Sequence, residues 1–284
     1  MRTLRKTRKQ PIEWSRVIMF TILGIAVIIV LVPIFWLLLS SFKYFRDIVT
    51  AKLIFTWNLD NYRELFMKGN HFFKIFFNTI TVSLFSMILC VLSSSFASYS
   101  LVRLPWNKGI SSSLKIILLS LEIIPSITII IPLYTIGMRL NLIDTKLFLI
   151  LIYSLFNAPF IFFLMSSNFS QIPSEIEESG FLDGASRFTI FTKLILPLTV
   201  PILMTGALLS FIFVWKEFLI ALSLTSTPNA MTLNVKIAGF IQSYSVKYGE
   251  MSAAASLGAI PGIILCIFTQ RYIVSGITQG AIKG

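Results

Sequence analysis

Long apolar runs separated by polar stretches dominate the pattern along this chain. A helix needs about 20 predominantly apolar residues to cross a hydrocarbon core roughly 30 Å thick. Six runs are long enough, and they cover residues 17–39, 75–97, 114–136, 147–169, 198–223 and 253–273. The pattern therefore predicts an all-α membrane protein with six transmembrane helices.

Prolines interrupt these runs at six positions. Each proline lacks the backbone N–H that a helix interior uses, and a membrane tolerates the loss where neighbouring helices or polar groups compensate. The positions are Pro33, Pro125, Pro132, Pro159, Pro201 and Pro261. We therefore expect the helices that contain them to be kinked.

The composition agrees with a membrane protein, because 56% of the 284 residues are hydrophobic and 13% are charged. No repeat or low-complexity tract divides the chain. We expect one membrane domain at 17–273, between a basic N-terminal segment at 1–16 and a C-terminal tail at 274–284. The net charge of +12 does not indicate a nucleic-acid partner, since lysines and arginines are spread over every loop.

Positive charge also predicts the orientation in the membrane. The first ten residues contain five arginines and lysines, and Arg16 adds a sixth, which favours a cytoplasmic N-terminus. Six crossings return the C-terminus to the cytoplasm. The first predicted outer loop, 40–74, is also basic, but its length and the dominance of the first helix favour the same orientation. The first apolar run exceeds the roughly 7 to 15 residues of a signal peptide's apolar region, so no cleaved leader is expected.

Residue types for catalysis or metal binding are sparse. His71 is the single histidine, and both cysteines, Cys90 and Cys266, fall within predicted membrane helices. No Gly-Lys dipeptide occurs, which excludes a Walker A phosphate-binding loop. We expect no metal site, no bound cofactor and no enzymatic activity. If ATP drives this protein, another chain must hydrolyse it.

A charged, glycine-containing stretch, EIEESGFLDGASRFTIFTKLILP, occupies the predicted cytoplasmic loop at 170–197. Ser174 and Glu177 form the S-x-x-E pattern of a capping box and predict the start of a helix. Gly184 can adopt a positive φ and end that helix. A second helical pattern then places three apolar residues on one face: Phe188, Phe191 and Ile195.

Two interpretations of this stretch remain open. It is either a solvated connection between two membrane helices or a docking element, in which a rigid helix sits in a partner's groove. A connection could be far shorter. The length and the turn chemistry favour a cytoplasmic helix-turn-helix by which another protein moves this one.

The same stretch resembles the EAA loop of ATP-binding-cassette (ABC) importer permeases, with the pattern E-A-A, three residues, G, nine residues and I-x-L-P. Serine and glycine replace the two alanines here, and leucine replaces the isoleucine. The resemblance implies ATPase coupling by Glu178, Ser179, Gly180, Asp183, Gly184, Ala185, Leu194, Leu196 and Pro197. Glycine in place of alanine at position 180 loosens a helix by roughly 1 kcal/mol, which would make the docking less firm.

Further stretches are similar to the carbohydrate-importer branch of that family and follow in order along nearly the whole chain. They are SFKYFRDI, IPLYTIGMRLNLIDT, FVWKEFLIAL, MSAAASLGAIPG and the closing RYIVSGITQGAIKG. The resemblance implies a six-span subunit of a sugar or oligosaccharide importer in the cell membrane of a prokaryote. Its partners would be a second related permease, two ATPase subunits that use ATP and Mg²⁺, an extracytoplasmic solute-binding protein and membrane lipid.

Four residues in predicted membrane helices are candidates for the translocation path: Glu122, Trp215, Lys216 and Glu217. A charge at the bilayer centre costs at least ~2.5 to 3.5 kcal/mol, so the three charged residues are not expected to face lipid. The tryptophan could stack its ring on a sugar. Each of the four could instead fix helix packing. Lys216, which stands where the family suggests asparagine, could also pair with the partner permease.

Other functions stay open as alternatives. A self-contained secondary transporter would show inverted repeats with interrupted helices and a midplane ion site, and the sequence has no visible repeat of this kind. An ABC permease for a non-sugar solute fits the same residues, because specificity is expected in the binding protein and the partner permease. A membrane enzyme would need a catalytic constellation that the sequence lacks.

Overall fold

The computed structural model describes residues 14–241 and 246–281. Most of the basic segment predicted at 1–16, and the last three residues of the tail predicted at 274–284, lie outside the described residues. The described backbone is mostly helical and contains no β-strand, which confirms the predicted all-α class.

The described ranges contain fourteen α-helices. In chain order they are α1 Trp14–Ser40, α2 Phe45–Val49, α3 Asp60–Phe66, α4 Phe72–Arg103, α5 Lys108–Ile123, α6 Ser126–Arg139, α7 Lys146–Phe169, α8 Glu175–Leu182, α9 Arg187–Ile190, α10 Leu196–Leu198, α11 Val200–Lys216, α12 Leu219–Leu224, α13 Leu233–Ala238 and α14 Tyr248–Ala281. A 3₁₀ turn at Lys68–Asn70 precedes α4, and a π-helical turn at Phe191–Ile195 joins α9 to α10.

Four described helices are long and apolar enough to cross a membrane without interruption. They are Ser15–Ser40 in α1, all of α4 and α7, and Tyr248–Gln270 in α14. These correspond to the first, second, fourth and sixth predicted spans. Two more crossings arise if each of two bent helix pairs counts as one span. The chain is therefore a multi-pass membrane protein with four to six spans.

The third predicted span, 114–136, is not one helix. α5 and α6 meet at 101°, and Pro125 lies between them. Proline cannot donate to the helical ladder, and the residue before it avoids the helical region; Ile124 accordingly has an extended ψ of 118°. The expected kink at Pro125 is thus a sharp break. Other prolines lie inside continuous helices: Pro33, Pro132, Pro159 and Pro261.

The fifth predicted span, 198–223, is also wrong as a single helix. At Thr199 the chain bends by 79° between the stretch Arg187–Leu198 and α11. Pro201 lies in the first turn of α11 and lacks the N–H that would continue the ladder across the bend. α11 ends at Lys216, and the remainder forms the short helix α12.

Helix α4 is central to the packing. It lies along α7, while α11 packs against α4, α7 and α14. Small side chains let α4 and α7 approach closely: Ser94 Oγ donates to the Ala158 carbonyl at 3.0 Å, and Ser86 Oγ donates to the Ile150 carbonyl at 3.4 Å. α1 packs against α14 and leaves most of its apolar side chains exposed, as suits a helix that faces lipid or another subunit.

The ends of α4 define the two ends of the helix bundle. Its last residue, Arg103, contacts α8, and we call this the α8 end. Its first turns contact the 225–232 loop, which precedes α13, and we call this the α13 end. The backbone of α14 is helical up to Ala281. Most of the tail predicted to begin at residue 274 therefore continues this helix.

Asp144 ties two loops together at the α13 end. Its carboxylate accepts hydrogen bonds from the N–H groups of Ser226 at 3.0 Å and Thr227 at 3.1 Å, and from the Thr227 hydroxyl. Partial burial raises the pKa of this carboxyl, but the hydrogen bonds outweigh burial and bring the pKa below its ordinary value of 3.8. The stability that the carboxylate contributes is therefore complete above the ordinary pKa and is lost as pH falls through the lower folded value.

We expect Asp144→Ala to loosen the 225–232 loop by about 1 to 2 kcal/mol at neutral pH, because hydrogen bonds to a charged group are lost. The rate at which a protease cleaves this loop in detergent-solubilised protein measures the effect. Asp144→Asn is the matched control. It keeps an acceptor oxygen and tolerates the φ of +58° at this position, so its loop should be cleaved more slowly than that of the alanine variant. Equal cleavage of wild type and Asp144→Ala would contradict the role assigned to this carboxylate.

Candidate functional site

The 170–197 segment folds into a helix, a glycine turn and a second helix, as its sequence predicts. Helix α8 ends in a Schellman motif: the Ala185 N–H bonds to the Gly180 carbonyl, and the Gly184 N–H bonds to the Phe181 carbonyl, each at 3.0 Å. Gly184 takes the left-handed position of this motif with a φ of +77°. The predicted positive φ is confirmed.

The start of α8 agrees with the prediction, but its capping does not. α8 begins one residue after Ser174 and carries three acidic residues in its first turn, where the helix dipole favours them. Ser174 has helical backbone angles, and its side chain makes no capping hydrogen bond. The predicted capping box is therefore wrong. Its other member, Glu177, points into the protein and meets Arg103 and Tyr99.

The second helix, α9, begins at Arg187. The Ser186 side chain accepts a hydrogen bond from the Thr189 N–H at 3.2 Å and caps the helix. The Arg187 guanidinium lies 5.3 Å from the centre of the Phe181 ring on α8. This cation–π contact connects the two helices across the turn.

A π-helical turn follows, in which the Leu196 N–H bonds to the Phe191 carbonyl five residues earlier. Pro197 has no N–H for the regular ladder, which favours the wider turn. Phe191 and Ile195 are buried, whereas Phe188 is 66% exposed. Phe188 and Phe191 lie on one face as predicted, since both rings contact Phe96 of α4, and Phe188 is exposed because it lies at the rim of the bundle.

The segment has a packed inner face and an exposed outer face. The inner face belongs to a core cluster formed by Cys90, Tyr99, Ile161, Met165, Phe169, Ile190, Phe191 and Ile195. The nine predicted coupling residues divide between the faces: Glu178, Ser179, Asp183, Gly184 and Pro197 are exposed, Ala185, Leu194 and Leu196 are half-buried, and Gly180 is buried. Leu182, beside the turn, is 89% exposed. The outer face thus presents both acidic and apolar side chains around the glycine turn.

Gly180 allows the two helices of the segment to approach closely. A Cβ at this position would lie 2.9 Å from Ile190 Cγ1 and 2.9 Å from Leu194 Cδ1. The related pattern has alanine here, so in this chain the glycine makes room for the larger side chains that pack on it. The glycine lowers the helix propensity of α8, and it also lets Ile190 and Leu194 pack closer to α8 than an alanine would allow.

A cavity of about 400 Å³ lies beside the break between α5 and α6. It brings together three of the four predicted path residues, Glu122, Lys216 and Glu217, with Ser126 and Asn157 as further polar groups. The rest of its wall is apolar and consists of Leu121, Ile124, Phe156, Phe160, Leu209, Ile212, Phe213 and Ile220. A mostly apolar cavity with a few convergent polar groups is typical of a small-molecule site.

Glu217 lies at the junction between α11 and α12 rather than inside a helix. Its backbone is extended, with a ψ of 139°. Its carboxylate accepts hydrogen bonds from the N–H groups of Ile220 at 2.8 Å and Ala221 at 3.2 Å, and from the Tyr153 hydroxyl at 2.5 Å. The charge therefore caps the first turn of α12 and joins it to α7, while the same residue lines the cavity.

The structure places Trp215 away from this cavity. Its ring stacks on Phe211 at a centroid distance of 5.4 Å and meets Phe76 edge-on at 6.2 Å. Its indole N–H donates to the Gly258 carbonyl at 3.1 Å. This tryptophan joins α11 to α4 and α14, and in this conformation its ring does not contribute to the cavity wall.

Sequence reasoning missed four residues that organise these sites: Tyr99, Arg103, Tyr153 and Asn157. Arg103 could have been noticed as the first charge after the second apolar run. Tyr153 and Asn157 lie four residues apart in an apolar run, and this spacing places them on one face of a helix. Tyr99 carries no such signal, because a single aromatic residue near a membrane boundary is ordinary.

Comparison with known proteins places this architecture in a family. The model of the family described as "Binding-protein-dependent transport system inner membrane component" matches residues 100–279. The trehalose transport system permease protein SugB of Mycobacterium tuberculosis is 36% identical over 259 residues, which cover 89% of this chain and 93% of that protein. The trehalose/maltose transport system permease protein MalG of Thermococcus litoralis is 33% identical, covering 90% and 93%.

A solved structure shares the fold. In a bacterial ABC transporter involved in the import of the acidic polysaccharide alginate, one chain superposes with a TM-score of 0.75 at 21% identity. The superposition covers 94% of this chain and 99% of that one. The family match spans more than half of the chain and includes the 170–197 segment, α11 and most of α14. This chain therefore belongs to the inner membrane components of binding-protein-dependent transport systems, the permease subunits of ABC importers.

Proposed function

We propose that this permease carries a sugar or an oligosaccharide into the cell, driven by ATP hydrolysis on separate subunits. The names of the relatives support this solute class, since SugB is named for trehalose and MalG for trehalose and maltose. The cavity supports it as well. Phenyl rings in its wall suit the apolar faces of a sugar, and the amide and carboxylates suit its hydroxyl groups.

The observation that carries the ATP-driven part of the proposal is the exposed outer face of the 170–197 segment. The inner face packs on α4 and α7, so the two short helices are held at a defined angle. Leu182 and Phe188 project from the rim at 89% and 66% exposure. Apolar side chains displayed by a fixed helix are typical of a helix-in-groove contact. An ATPase subunit would supply the groove, with basic groups facing Glu178 and Asp183.

The mechanism is alternating access. When ATP closes the dimer of ATPase subunits, the docked segment moves and takes with it the helices on which its inner face packs. The breaks at Pro125 and Thr199 are positions where a change of backbone angle alters the orientation of whole helices. The cavity beside the first break then opens alternately toward either side of the membrane, and the solute follows the open path.

The topology follows from counting each bent helix pair as one crossing, which makes six spans. The α8 end and both termini then face the cytoplasm, and the α13 end faces the solute-binding protein outside. Glu122 and Lys216 are exposed in this chain, and a second related permease would cover them while lipid covers α1. ATP and Mg²⁺ are held by the ATPase subunits.

Reconstitution tests this function. Vesicles that contain this chain, a second permease and the ATPase subunits should accumulate labelled trehalose or maltose when ATP and the solute-binding protein are both supplied. A non-hydrolysable nucleotide should abolish accumulation. Vesicles with this chain alone and an ion gradient are the control and should take up nothing. Gradient-driven uptake by the chain alone would establish a secondary transporter instead, and ATP-driven uptake restricted to a non-sugar solute would contradict the solute class.

A further inference from the structure

Arg103 holds three parts of the chain together at the α8 end. It is the last residue of α4, and its Nη2 donates to the carbonyl of Phe169, the last residue of α7, at 2.8 Å, and to that of Ile172 at 2.5 Å. Its Nε lies 3.0 Å from Glu177 Oε1 on α8. This contact is an ion pair whose alignment falls short of a hydrogen bond. We call this set of contacts, with Tyr99, the Arg103 joint.

The Arg103 joint is largely shielded from solvent. The side chains of Arg103 and Glu177 are 15% and 10% exposed, and the Tyr99 hydroxyl donates to Glu177 Oε2 at 3.2 Å. Removing either charge would leave the other unpaired in the interior, which is strongly unfavourable. The planar guanidinium contacts the two carbonyls and the carboxylate at the same time through nitrogens held in one plane. The single ammonium nitrogen of a lysine does not reproduce this geometry. The ends of α4, α7 and α8 are therefore expected to move together.

The opposite end of α4 is anchored as well. Asn78 Nδ2 donates to the carbonyls of Pro228 at 3.0 Å and Met231 at 3.2 Å in the 225–232 loop. The Leu233 N–H, at the start of α13, donates to Thr79 Oγ1 at 2.8 Å. These bonds attach the first turns of α4 to the backbone of the loop and of α13.

Between these two anchors α4 is one continuous helix. It runs without interruption for 32 residues, about 48 Å at 1.5 Å per residue. Its sequence contains neither proline nor glycine, whereas α1, α7 and α14 each contain a proline. Prolines and glycines are the usual places where helices bend. We therefore expect a displacement at one end of α4 to reach the other end.

We propose that the Arg103 joint converts displacement of the 170–197 segment into movement of α4 as a rigid body, which reaches the 225–232 loop at the α13 end. This inference rests on the proposed function, since a docked ATPase subunit supplies the displacement. Arg103 and Glu177 act here as positioning residues that do not touch the solute. The same path works in reverse, because a coupling free energy between two sites is reciprocal.

The test uses the complete transporter and measures how strongly the solute-binding protein, which is expected to act at the α13 end, stimulates ATP hydrolysis at the α8 end. Arg103→Ala and Glu177→Ala should each reduce this stimulation and the solute moved per ATP by about tenfold, within the usual range of coupling between sites. The ATPase subunits should still co-purify. The double variant should be no worse than either single one, because both break the same contact.

Two comparisons make the result specific. Arg103→Lys keeps the positive charge but loses the planar guanidinium. Its stimulation of ATP hydrolysis should lie between those of wild type and Arg103→Ala. Thr21→Ala removes an exposed hydroxyl of α1 that bonds to the Val17 carbonyl of the same helix and should behave as wild type. If the alanine variants fail to reach the membrane, Arg103→Lys and Glu177→Gln are compared in the same way.

The inference is overturned if stimulation is unchanged in the single variants, or if their losses add in the double variant. It is also overturned if the loss of stimulation is proportional to a loss of permease from the membrane. Failure of the proposed function has a different signature, because then ATPase subunits would not co-purify even with the wild-type chain.

Discussion

Gly184→Val is expected to detach the ATPase subunits and reduce solute uptake to background, while the permease still inserts in the membrane. Gly184 has a φ of +77° at the end of α8, a conformation that costs a β-branched residue about 1 to 3 kcal/mol. Apart from its two neighbours in the chain, no described residue lies within 4 Å of the place a Cβ would take. Within this chain the cost therefore comes from the backbone, and it changes the angle between α8 and the second helix.

The measurement pairs pull-down of ATPase subunits by the tagged permease with uptake by reconstituted vesicles. Gly184→Asn is the matched control, because asparagine adopts left-handed angles more readily than other non-glycine residues. It should keep most of the ATPase and most of the transport. Wild-type retention and wild-type transport in Gly184→Val would show that the turn has no part in coupling.

Glu217→Ala is expected to lower uptake by about tenfold at matched protein level, with the assembled complex still in the membrane. The substitution removes the acceptor for the N–H groups of Ile220 and Ala221 and for the hydroxyl of the buried Tyr153. Each buried donor left without a partner costs about 1 to 3 kcal/mol. The lost hydrogen bonds lie at the junction between α11 and α12 and in the wall of the cavity. The translocation path should therefore change shape while the other helices keep their packing.

Two further variants separate the contributions of this carboxylate. Glu217→Gln keeps one acceptor oxygen and should retain more uptake than the alanine variant. Tyr153→Phe removes one donor and leaves the α12 cap in place, so its effect should be the mildest. Normal uptake by Glu217→Ala would reduce this residue to a dispensable packing group.

Much of the 170–197 segment can be predicted from local rules. A glycine at the end of an acidic helix predicts a left-handed cap, since other residues are strained there, and Gly184 has that conformation. The capping box fails because a pattern of four residues cannot reveal that Glu177 has a better partner. That partner, Arg103, is distant in sequence, and the Nε to Oε1 contact of 3.0 Å exists only once α4 lies beside α8.

The cavity, too, has features that local sequence predicts and others that only the tertiary structure shows. Hydropathy marks Glu122, Lys216 and Glu217 as charges that need a reason in a membrane segment, and all three line one cavity. The residues next to them in the sequence do not predict that Glu217 caps a new helix. Nor do they predict that Trp215 bonds to α14 and stays out of the cavity wall. Hydropathy averages over a window and does not register a helix end inside it.

The sequence by itself determined the all-α membrane class, the long apolar runs and the glycine turn, because hydrophobic run length and the backbone freedom of glycine act locally. Only the tertiary structure decided that the third and fifth predicted spans are broken, that Glu177 pairs with Arg103, and which path candidates share a cavity. The physical reason is that a proline removes the same hydrogen bond wherever it occurs. Whether the helix then continues, as at Pro159, or turns by 101° around Pro125, depends on the helices that pack around it.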